Sequence, residues 1–77
     1  LYTNNSPEAN EARSIADWAE NLEPGSEAFY SVPVEFFGHE SRLILGAENI
    51  LKSEKVQHII LTSESAGVIK AKVQRFS

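Results

Sequence analysis

The chain has 77 residues, one domain at most, with a formal net charge of −4 and neither Cys nor Met. Disulfide staples within the chain are therefore excluded, and no apolar run reaches the roughly 18 residues of a membrane-spanning helix. A domain this small buries only about 60% of its unfolded surface, so a partner chain is the expected support for a marginal core.

The charge is unevenly spread. Residues 1–40 carry −7 and residues 41–77 carry +3. An acidic half repels phosphate backbones, which argues against a nucleic-acid partner. The simplest reading is an acidic helical face opposed to a basic hairpin within one fold.

Leu1 to Asn5 is a short lead-in. Asn4-Asn5-Ser6 has the form of a glycosylation acceptor at Asn4, although Pro7 directly after it disfavours modification. Ser6 is a good N-cap, Pro7 suits the first helical position, and Glu8 complements the helix dipole. Ala12, Ile15, Ala16, Ala19 and Leu22 then recur at helical spacing, and Glu23-Pro24-Gly25-Ser26 is expected to end the helix.

Ala28 to Phe37 reads as a strand, with Tyr30, Val32, Val34 and Phe36 on one face. Pro33 lacks a donor and marks an edge or a bulge. Residues 40–55 fit two descriptions. Leu43-Ile44-Leu45 alone suits a strand, but Leu43, Ile44, Ala47, Ile50 and Leu51 match the amphipathic helical template, and the helix is preferred. Gly46 costs that helix about 1 kcal/mol. His58 to Ser63 is a short buried strand, Ser63 to Gly67 a turn, and Val68 to Phe76 an alternating strand that completes a hairpin. The order α-β-α-β-β predicts an α+β fold with two helices on one face of a small sheet.

No motif of specific chemistry stands out. Ser63-Glu64-Ser65-Ala66-Gly67 nearly matches the nucleophile elbow G-x-S-x-G, but Ser63 replaces the first Gly and the run after Gly67 alternates like a strand. His39-Glu40-Ser41 holds triad residue types on adjacent positions, where side chains diverge; Ser41 or His39 is expected to cap the second helix. His39 and His58 make no metal motif, so no catalytic residue, metal or cofactor is expected. Trp18 and the aromatics Phe29, Tyr30, Phe36, Phe37 and Phe76 are read mainly as core, with an outward phenylalanine available for a contact patch. Lys70, Lys72 and Arg75 share one strand region that suits either solvent or anionic lipid.

The Met-free start Leu1-Tyr2-Thr3-Asn4-Asn5, and an end one residue past the apolar run 68–76, suggest a mature subunit released from a precursor or a domain excised from a larger protein. With the chain length, the acidic Cys-free composition and the α-β-α-β-β order, these features resemble the β subunits of the salt-mediated yeast killer toxin (SMK toxin) family. The resemblance implies an α/β sandwich: an antiparallel sheet with two helices on one face, a split β-α-β unit, and strands supplied by a companion subunit cut from the same secreted precursor. It also implies a non-enzymatic heterodimer that kills competing yeasts by disrupting their membranes and that holds together in acid. A carboxyl such as Glu27 or Glu35, meeting another carboxyl at the subunit contact, would donate a hydrogen bond when protonated and repel when ionised. The same features fit a second reading, a binding or regulatory α+β module of a larger protein.

Overall fold

A computed structural model describes residues 6–56 and 58–75. Helix α1 spans Pro7–Glu20, strand β1 Glu27–Ser31, helix α2 Glu40–Ser53, strand β2 Ile59–Ser65 and strand β3 Val68–Val73; a single 3-10 turn, Val34–Phe36, lies between β1 and α2. The sheet is antiparallel throughout in the order β1-β3-β2. β3 therefore lies between the two strands that α2 connects, which is the split β-α-β arrangement.

Each helix starts where its chemistry directs. The Ser6 hydroxyl accepts from the Ala9 amide at 3.0 Å, and Pro7 opens α1. α1 ends at Glu20 with Asn21 as its cap, three residues before Pro24, so the proline does not itself break the helix. α2 begins after His39, yet neither His39 nor Ser41 supplies a capping bond; the first residue, Glu40, reaches back to the Gly38 amide instead.

All three strands differ from the sequence expectation: β3 ends at Val73, short of the expected run to residue 76, and β2 buries only Leu61 rather than its whole length. The run Ala28–Phe37 is only half strand: β1 stops at Ser31, and Pro33 turns the chain into the 3-10 segment because it fixes φ and has no N–H to extend the ladder. Val32 stays buried, but Val34 leaves the shared face and is 75% exposed. The expected turn at residues 63–67 shrinks to Ala66-Gly67, since Ser63 and Ser65 pair with Ile69 and Val68 across an irregularity at Glu64. Ser65 is thus a strand residue, with none of the strand-to-helix geometry a nucleophile elbow requires.

The helices lie side by side and run in the same direction. Glu8 at the start of α1 meets Arg42 (3.1 Å) and His39 (3.6 Å) at the start of α2, and Ala12 faces Gly46 in the middle. Both helices cover one side of the sheet, and the core between the layers gathers Ile15, Ala16, Ala19, Val32, Leu43, Ala47, Leu51, Leu61, Ile69 and Ala71. Trp18, Tyr30 and Phe36 pack partly buried against it.

Gly46 has a packing reason. A Cβ there would come within 2.9 Å of the Ala12 Cβ, an atom fixed to the helix backbone, so the two helices approach through the missing side chain. In an open helix Gly→Ala stabilises by about 1 kcal/mol. Here Gly46→Ala is expected to lower the urea midpoint instead, because relieving the contact separates α1 from α2 and overpacking costs about 1–3 kcal/mol.

Candidate functional site

The residues that the sequence singles out do not converge. Asn4 lies outside the described residues. Glu27 is exposed at the start of β1 and pairs with Lys70 at 3.7 Å. Glu35 is exposed on the 3-10 turn, beyond the other end of β1. Among the described residues no group of three or more His, Asp or Glu side chains could hold a metal ion, and no helix is long and apolar enough to cross a membrane.

A polar node that sequence reasoning missed sits where the 3-10 turn, α2 and the β-hairpin meet. Glu40 is only 7% exposed. Its carboxylate accepts from the Gly67 amide at 2.6 Å and from the Gly38 amide at 3.1 Å to each oxygen. These backbone bonds, the Gly67 bond foremost, hold the carboxyl below its ordinary range despite the opposing effect of burial. Gly67 also accepts from the Val32 amide at 2.8 Å, so one glycine joins β1, the hairpin and α2. Its φ of +79° is a conformation that side chains rarely adopt, and a Cβ would meet the Phe37 ring at 2.5 Å. The sequence offers only an acid at a helix start two residues after Gly38, and nothing local identifies its second donor 27 residues away.

Two further carboxyl environments differ from this one. Tyr30 donates to Glu11 at 2.5 Å beneath the Trp18 ring, whose centroid is 5.2 Å away. Burial, followed by the bond and the charge of Glu11, pushes the Tyr30 hydroxyl up to about 12. At the far end of the helix pair, Glu20 closes α1 and Glu54 caps α2. A hydrogen bond between their carboxyls, then desolvation and the charges of Glu54 and Asp17, raise Glu20. Two parallel helix C-termini already concentrate negative dipole there, so this corner is relieved by protonation.

The surface divides into two characters. On the face away from the helices, the strands bring Glu27, Lys72 and Ile60 into one row and Phe29, Lys70 and Thr62 into the next. Phe29 is 64% exposed and Ile60 41%. The acids of α1, by contrast, lie on the opposite layer. A cleft of about 360 Å³ opens between α2 and β2, lined by Glu48, Leu51, Lys52, Val56 and Ile59. Comparison of the chain with known protein families, characterised proteins and solved structures finds no match.

The node has a definite pH signature. Because the folded state holds the Glu40 carboxyl low, its contribution is complete above the ordinary carboxylate range and is lost as pH falls through the depressed value. Glu40→Gln is therefore expected to melt several degrees below the parent at neutral pH. The gap should close progressively below about pH 4 in thermal denaturation followed by circular dichroism.

Proposed function

We propose that the chain is a non-enzymatic subunit of a secreted heterodimeric killer toxin that inhibits competing yeasts by acting on their membranes, with the bare face of its sheet as the surface that meets lipid. The observation supporting this reading is the placement of exposed Phe29 and Ile60 around Lys70 and Lys72, on the layer opposite the acids of α1. Aromatic and aliphatic side chains insert at the headgroup boundary, and lysines beside them add attraction to anionic lipid. The separation of charge between layers would orient the molecule on such a surface.

In this reading a companion chain from the same precursor extends the sheet, and protonation of contact carboxyls such as Glu27 and Glu35 favours its association in acid. Neither nucleic acid nor a cofactor takes part. The second reading, a binding or regulatory module of a larger protein, is favoured by one particular feature: the buried residues of helices and sheet form a single contiguous core.

Co-sedimentation with vesicles separates these readings. The chain is expected to pellet with vesicles containing phosphatidylserine and to stay in solution with purely zwitterionic ones. Phe29→Ser and Lys72→Glu should each weaken binding about tenfold, and added salt should weaken it further. Binding that ignores lipid charge and both substitutions would remove the membrane role. Size-exclusion chromatography of the native material at about pH 4 and about pH 7 addresses the companion; unchanged elution without a second chain would leave the module reading.

A further inference from the structure

The outer edge of β2 and the cleft beside it form a surface that is complementary to itself. The Gln74 amide donates to the His58 carbonyl at 2.8 Å, and Ile60 and Thr62 lie opposite Lys72 and Lys70. Antiparallel alternation then turns the N–H and C=O groups of Ile59, Leu61 and Ser63 away from β3. Among the described residues no strand pairs with this side of β2.

Protected edges carry charges, prolines or bulges that deter pairing. Residues 59–63, Ile-Ile-Leu-Thr-Ser, contain no charge and no proline, and the irregularity lies just beyond them between Ser63 and Ser65. The other edge strand, β1, begins with Glu27 and runs out at Pro33. The two edges are not equivalent, and β2 is the one left open.

We infer that β2 pairs with β2 of a second copy of this chain about a two-fold axis at Leu61, giving a continuous six-stranded sheet. An axis at that position sets Leu61 against its own copy and Ile59 against Ser63 of the other. Only the backbone groups already facing outward are used, and the irregular segment stays outside the pairing. The operation keeps both pairs of helices on the same side of the joined sheet, so each α2–β2 cleft opens toward the other copy.

Charge complementarity selects a second copy over other occupants. Glu48 and Lys52 line the cleft one helical turn apart on α2, with Leu45, 60% exposed, on the same helical face. A two-fold reverses the direction of the neighbouring helix, so Glu48 of one copy faces Lys52 of the other, and the pair occurs twice. Leu51 and Val56 line each cleft beneath these charges, and Ile59 sits against Ser63 of the other copy. This association uses the sheet edge rather than its bare face and does not depend on the toxin reading.

Sedimentation velocity on the whole chain, from micromolar to millimolar concentration, tests it. The parent is expected to reach twice the mass of one chain. Glu48→Lys and Lys52→Glu, alone, should each raise the dimer dissociation constant about tenfold, since like charges then face each other twice. Mixing the two variants should restore dimer, because one copy now presents two lysines and the other two glutamates. Ser63→Pro, which removes an edge-facing donor under an exposed side chain, should also favour monomer while circular dichroism confirms the fold. A parent that stays monomeric throughout would overturn the inference. So would a dimer indifferent to the charge variants, or a mixture that fails to reassociate.

Discussion

The Glu40 carboxylate is the constraint on which this architecture depends. A buried carboxylate is costly unless its oxygens are satisfied by donors, and here the donors are backbone amides from two different segments. Gly38 precedes α2 and Gly67 lies in the β2–β3 turn, so satisfying one side chain fixes the helix start against the far end of the hairpin. The Val32 amide on the Gly67 carbonyl brings in β1 as well. Three elements distant in sequence are thereby held by one residue. Phe37 occupies the space that any side chain at position 67 would need, which makes the glycine a packing requirement as well as a conformational one.

The helix pair is set by a second constraint, close approach through Gly46. Its propensity cost is offset by the contact it permits with α1. The resulting parallel arrangement brings unlike charges together at the N-terminal end, where Glu8 meets Arg42, and like charges at the other end, where Glu20 meets Glu54. The two ends of the helical layer thus respond to acid in opposite senses from the two carboxyl environments near them. Protonation weakens the amide bonds that Glu40 accepts, whereas the Glu20 corner loses a repulsion. Any acid dependence of the whole chain is the balance of such terms.

With the helices on one side, β3 receives a divided role. Ile69, Ala71 and Val73 point into the core, and Lys70 and Lys72 point to the bare face. The period of two in this strand therefore decides both stability and surface character. Phe29 takes its exposure from the same alternation on β1. The alternation that sets Ala28 and Tyr30 inward puts Phe29 on the outer face, where an outward phenylalanine was expected.

Much of this order is written locally. Ser6-Pro7-Glu8 and the apolar spacing after it determine α1; the five matched positions from Leu43 to Leu51 determine α2; the alternation after Val68 determines β3. These signals lie within a turn or two of the backbone, where propensity and capping act. Pro33 marked the break after β1, but the 3-10 turn that follows it, the extension of β2 to Ser65 and the exposure of Val34 were decided by tertiary structure. Each depends on which strand lies alongside and where the chain must turn to reach α2. The node is the clearest case: Glu40 reads as an ordinary helix-start acid, and only folding brings the Gly67 amide to it. The sequence alone set the elements and their periodicity because those arise from neighbouring residues. Contacts between segments far apart in the chain chose the partners, since a hydrogen bond or a close approach exists only once both sides are in place.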